Sequence, residues 1–136
     1  MAIFFRRQKI YVAAPLSTGV RSDGASFKSA TIITYIKNLR LMFDAAIAVQ
    51  RKGHYPYVPG LDLLLGIVAG DWERDDYQDT SLAYLEVCDA VLVVAHSEGV
   101  DKELAKAKKL RKIIYYNVEE IPNRKEISSG EKIREE

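Results

Sequence analysis

The chain has 136 residues, 48% hydrophobic and 29% charged, with 20 basic against 19 acidic side chains and a net charge of +1. That length suits one domain around one core, and the apolar share excludes global disorder; the balanced charge argues against a dedicated nucleic-acid binder. A single cysteine, Cys88, excludes a disulfide framework or a multi-thiolate zinc site, and His54 and His96 offer no metal-ligand spacing, so neither metal nor other cofactor is expected.

The opening Met-Ala-Ile-Phe-Phe-Arg-Arg lacks an apolar run long enough for a signal peptide or a membrane span, so a soluble cytoplasmic protein without membrane contact is expected. Residues 1–8 read as an extension ahead of a domain over 9–121. Lys9–Ala14 is a short apolar run before Pro15 and reads as a buried parallel strand. Leu16–Ser29, with two glycines, four serines and a threonine, reads as a loop. From about Thr31 the period changes. Ile32, Ile36, Leu39, Phe43 and Ala46 form an amphipathic stripe, and Gly53 after Arg51 and Lys52 is a stop signal.

Tyr55–Val58 is a candidate second strand, and Leu61–Val68 a helical turn or two ending at Gly70. Asp71, Glu73, Asp75, Asp76 and Asp79 precede a helix-like segment carrying Leu82, Leu85 and Val87. Ala90–Ala95 is the strongest strand, uncharged and rich in valine. A lysine-rich helix from about Asp101 to Leu110 and a strand at Lys112–Tyr116 follow, and 122–136 is a polar tail or last helix. Uniformly apolar strands alternating with helices predict a single-domain, doubly wound α/β fold of the flavodoxin or Rossmann type. Four to five parallel strands in an order near 2-1-3-4-5 are expected.

In such sheets ligands bind beyond the carboxyl ends of the strands. Four stretches qualify: Pro15–Gly24, Pro59–Leu63, Ser97–Glu103 and the acidic run Asp75–Asp79. Asp89, ahead of its strand, reads as a turn residue. Glu103 is placed in the first turn of the Asp101 helix, where the helix dipole alone would favour a carboxylate. Ser97 and Gly99 lie in a loop whose amides suit an oxygen or a phosphate. Ser17, Thr18, Gly19 and Arg21 suit a phosphate or sugar equally. Neither a Walker sequence nor a Gly-x-Gly-x-x-Gly occurs. The six basic residues between Lys102 and Lys112 read as a solvated face. Trp72 and Tyr77 could stack a base, or pack as core or lid.

Lys-Ile-Tyr-Val-Ala-Ala-Pro at 9–15, Asp-Ala-Val-Leu-Val-Val at 89–94 and Ser97-x-Gly99-x-x-x-Glu103-Leu-x-x-Ala107 resemble the nucleoside 2-deoxyribosyltransferase superfamily, which includes deoxyribonucleoside 5′-monophosphate N-glycosidases. Tyr-Val-Pro-x-Leu-Asp at 57–62 and Gly-Asp-Trp-Glu at 70–73 extend the likeness, which covers roughly residues 9–117. The resemblance implies that Glu103 is the nucleophile on the sugar anomeric carbon and that Tyr11 contacts it. It implies that Ser97 lies near a 5′-phosphate shared with Ser17, Thr18, Gly19 and Arg21. It also implies a homodimer or higher oligomer acting on a small nucleoside or nucleotide, with no nucleic acid as partner. Ser81 stands where the family usually has an aspartate, and Ala105 where glycine often follows Glu-Leu. The acid assisting the base is left to Asp79, two residues from Ser81 and roughly 200° around a helix, or to Asp62 or Glu98. The alternative expectation is a nucleotide-binding module without turnover on the same scaffold.

Overall fold

The computed structural model describes residues 6–15 and 29–124. Its elements run β1 (Lys9–Ala13), α1 (Ser29–Arg51), β2 (Tyr55–Tyr57), a 3-10 turn (Pro59–Leu61), α2 (Asp62–Ala69), α3 (Arg74–Val87), β3 (Ala90–Val93), α4 (Glu98–Lys109), β4 (Ile113–Tyr115) and a second 3-10 turn (Val118–Glu120). All strand pairs are parallel, in the order β2-β1-β3-β4, with Tyr11 opposite Tyr57 and Val91. The doubly wound α/β reading holds, with four strands among the described residues. No helix among them is long and apolar enough to cross a membrane.

Side-chain alternation divides the core between the two faces of the sheet. Ile10 and Val12 pack with Val49, Met42 and Ala46 of α1, and with Ile121 beyond β4. Tyr11 and Ala13 turn the other way, onto Leu85 of α3 and Val100, Leu104 and Ala107 of α4. Helices therefore cover both faces, the arrangement that uniformly apolar strands require.

Two details depart from the periodicity. Among the described side chains of α1 the buried ones are Met42, Ala46 and Val49, whereas Ile36 is exposed and Ile32 lies outside them. A 23-residue helix is about 34 Å long, and the five-residue β1 spans about 16 Å, so only the later turns of α1 lie over the sheet. Second, α4 begins at Glu98 rather than Asp101, capped by Ser97. Glycines end two helices as expected: Gly53 (φ 92°) after α1 and Gly70 (φ 80°) after α2, both in the left-handed region open to glycine.

The margin of the sheet before the strands is tied by side chains. Lys9 N–H donates to Asp89 at 2.8 Å, the turn role expected of Asp89. Buried His54 accepts from Gln8 N–H at Nδ1 (3.1 Å), and its Nε2–H donates to the Pro122 carbonyl at 2.6 Å. Nδ1 thus acts as the acceptor and Nε2 as the donor.

Candidate functional site

On the α3/α4 face, the hydrophobic stripe of α4 carries one carboxylate. Val100, Glu103, Leu104 and Ala107 follow the i, i+3, i+4, i+7 spacing, and all four are buried. Because α4 starts at Glu98, Glu103 is its sixth residue, past the first turn where the dipole acts. Helix capping therefore does not account for it. That role belongs to Ser97, whose Oγ accepts from Val100 N–H at 3.2 Å.

Tyr11 reaches Glu103 from β1, its hydroxyl donating to Oε1 at 2.9 Å in a buried contact. Oε2 is also buried and meets no hydrogen-bond partner among the described residues. Burial pushes the Glu103 carboxyl up to about 7, while the Tyr11 hydrogen bond works in the opposite direction. The Tyr11 phenol lies far above its usual range, first through burial and then through the charge and hydrogen bond of Glu103. Tyr11 therefore keeps its proton and donates. A side-chain hydrogen bond with Ser81 opposes that rise, which joins the buried Ser81 of α3 to the same chain of contacts.

An aromatic layer extends the cluster. The Tyr11 and Tyr57 rings lie 5.4 Å apart, and Tyr57 stacks on Tyr84 at 5.0 Å and 16°. The Tyr57 hydroxyl donates to Asp62 Oδ2 at 2.8 Å, which binds the start of α2 to the sheet. Burial and then the Asp62 hydrogen bond hold the Tyr57 phenol well above its usual range. The sequence offers Tyr57 only as the first residue of the 57–62 motif, without a role, and does not mark Tyr84. Their signal is the register that sets Tyr57 opposite Tyr11, which one chain's sequence does not display.

Glu103, Tyr11 and Ser81 thus come together, with Asp62 one tyrosine away. Asp79 does not join them. It is exposed on α3, as the angle of roughly 200° from buried Ser81 requires. Within the same acidic stretch, Glu73 and Asp76 serve the fold, forming a reciprocal capping box at the start of α3. Glu98 is exposed at the first position of α4. Gly99 lies in its first turn, where an added Cβ would meet Gln78 Oε1 at 3.4 Å. Ser17, Thr18, Gly19 and Arg21 lie outside the described residues.

Other chemistries find less support. Cys88 is buried, and burial with the charge of Asp89 raises its thiol to about 11, so the reactive thiolate is disfavoured. Among the described residues no group of three or more His, Cys, Asp or Glu side chains could hold a metal ion. Of the six basic residues after Asp101, two are engaged by α3. Lys106 donates to Glu86 at 2.7 Å and to the Leu82 carbonyl at 2.9 Å, and Lys112 donates to the Glu86 carbonyl at 2.7 Å. Trp72 and Tyr77 meet edge to face at 5.1 Å, and the Tyr77 ring lies over Gly66 of α2, so Tyr77 packs between α2 and α3 with Trp72 against it.

Comparison of the chain with protein-family models and with curated proteins finds no match.

Proposed function

We propose that this protein cleaves or transfers at the N-glycosidic bond of a (deoxy)nucleoside or its 5′-monophosphate, with Glu103 attacking the sugar anomeric carbon. The observation that carries the reading is the buried bond from Tyr11 to Glu103 Oε1, which leaves Oε2 without a partner among the described residues. Such a carboxylate is held in one orientation with one oxygen left unpaired. This is what a positioned nucleophile needs. In the step, the bond from C1′ to the base nitrogen breaks and its electron pair leaves with the base, which takes up a proton. A C1′–O bond forms to Glu103, and water or a second base then displaces the carboxylate. Oxocarbenium character on the sugar favours a neighbouring negative charge, so the reaction requires Glu103 ionised. The resemblance in the sequence supplies the substrate class, and with it a cytoplasmic, self-associating enzyme that needs no cofactor.

The test is base release or exchange across a panel of deoxynucleosides and their monophosphates, with and without an acceptor base. Wild type should turn over at least one of them, and Glu103→Gln should lose on the order of a hundredfold or more. Equal turnover by the two proteins would sink the mechanism.

A second reading, a nucleotide-binding module without turnover, is favoured by two observations. Glu103 Oε2 is buried, and the residue beside Tyr11 on α3 is a serine rather than a second acid. Calorimetric binding of a monophosphate, with no base released, would select it.

A further inference from the structure

Breaking the bond from C1′ to a neutral base leaves an electron pair on nitrogen, and the departing base needs an acid, an assistance worth roughly 10²–10⁴ in rate. Glu103 cannot give it, because the nucleophile acts ionised. Tyr11 directs its hydroxyl at Glu103 Oε1, and its phenol lies far above its usual range, so that proton stays. The side chain that α3 brings to Tyr11 is the hydroxyl of buried Ser81, which is no acid at neutral pH. The acids nearby are engaged elsewhere or turned away. Asp62 accepts from the Tyr57 hydroxyl at 2.8 Å, Asp76 closes the capping box of α3, and Asp79 and Glu98 are exposed. Among the described residues, Glu103 is therefore the one carboxylate beside Tyr11.

A base that is already cationic needs no acid. In a nucleoside of a pyridinium, or of a purine alkylated on its imidazole ring, the pair from the broken C1′–N bond neutralises the ring. The base then leaves as a neutral molecule and takes up no proton. Glu103 gains the C1′–O bond, and water displaces the carboxylate, its oxygen going to C1′ and one proton to solvent. The surroundings match such a charge. From 71 to 79 the chain carries five acidic residues against the single Arg74, at the margin where α3 starts, and a cation is drawn to such a field. The Tyr57–Tyr84 stack beside Tyr11, with Tyr84 51% exposed, adds aromatic faces that favour a cation. Resting on the N-glycosidic reading above, we infer that the substrates of this site are nucleosides or nucleotides whose base carries a permanent positive charge.

The test uses matched pairs in which the base differs by its charge. The pairs are 7-methyl-2′-deoxyguanosine with 2′-deoxyguanosine, 7-methylguanosine with guanosine, and nicotinamide riboside with its neutral dihydro form, each also as the 5′-monophosphate. Base release is followed by chromatography with spontaneous loss subtracted, and Glu103→Gln is run beside wild type. In at least one pair the cationic member should exceed the neutral one by about a hundredfold or more in kcat/KM, and Glu103→Gln should abolish the excess. The pair that responds tells pyridinium from purine. A smaller preference in every pair that turns over overturns the inference and leaves the N-glycosidic reading standing. No Glu103-dependent release from any of these substrates overturns both. Ser81→Asp, which sets a carboxyl beside Tyr11, should narrow the preference about tenfold or more where its far-ultraviolet dichroism matches wild type. A folded Ser81→Asp that keeps the full preference also overturns the inference, and the pairs decide alone if that variant does not fold.

Discussion

The Tyr11 hydroxyl donates to Glu103 across 92 positions of sequence, from the third residue of β1 to the sixth of α4. The bond joins the centre of the sheet to a covering helix, and it puts the ionisation of Glu103 under the control of burial. Folding therefore favours the protonated carboxyl, held up to about 7 against an ordinary 4.5. Between those values the folded chain binds more protons than the unfolded one, so stability falls as pH rises through the window. It is fully present below about 4.5 and lost above about 7. Urea unfolding at pH 5 and pH 8 should show wild type losing about 3 kcal/mol relative to Glu103→Gln, which has no proton to release. Parallel behaviour of the two proteins would refute the burial argument.

Turnover should respond to the same group with the opposite sign. The proposed nucleophile acts ionised, so base release should climb with pH through about 7. Tyr11→Phe removes the one hydrogen bond that eases Glu103 towards ionisation. Its rising limb should move to higher pH, and at pH 8 it should cost about 1–3 kcal/mol in stability. An unmoved pH profile would separate Tyr11 from the chemistry.

Asp79→Asn tests the neighbouring acid. An exposed side chain outside the cluster should leave stability within about 0.5 kcal/mol and turnover unchanged. A large loss of turnover with the fold intact would restore Asp79 as the acid assisting the base.

The core of α1 can be checked by pairing two residues of similar size. Met42→Ala should cost about 2–5 kcal/mol by chemical denaturation, since Met42 is fully buried against Val12. Ile36→Ser, at an exposed position, should cost less than about 1 kcal/mol. The reverse order would return the helix to the stripe read from its sequence.

Gly66→Ala probes the joint between α2 and α3. The added methyl occupies the place of the Tyr77 hydroxyl, so that ring must swing away from Trp72. The emission of Trp72, the chain's single tryptophan, should shift while the α1 side of the core stays intact.

The strands were legible because each is an apolar run between breakers, and Ala90–Val93 is buried at every position. The start of α4 was not. Gly99 in its first turn disguised a helix that the Ser97 cap begins, and that misplacement made Glu103 resemble a dipole residue. The stripe of α1 was legible in its later turns, where Ala46 is buried and Leu39 and Phe43 are half-buried, but not at Ile36, which is exposed. Periodicity reports which residues share a helix face, not how far the sheet beneath the helix extends. Glu103 was legible from its place after the third strand, Tyr11 and the contact between them came from the resemblance, and the structure shows that contact. Ser81 was legible only as a departure from a pattern, and its burial beside Tyr11 needed α3 in place. Tyr57 was legible only as the first residue of the 57–62 motif, and its place opposite Tyr11 was not, because pairing between parallel strands depends on a crossover that no local pattern encodes.

The ring of His54 accepts from residue 8 with one nitrogen and donates to residue 122 with the other, so the two margins of the folded body meet across a single imidazole. Residues 8 and 122, held that close together, can serve as joining points for a short linker, with the polypeptide reopened at an exposed tip. A circularly permuted protein built that way would keep β1 beside β3 and Tyr11 beside Glu103, and it would carry its new ends wherever a tag or a fusion partner is wanted.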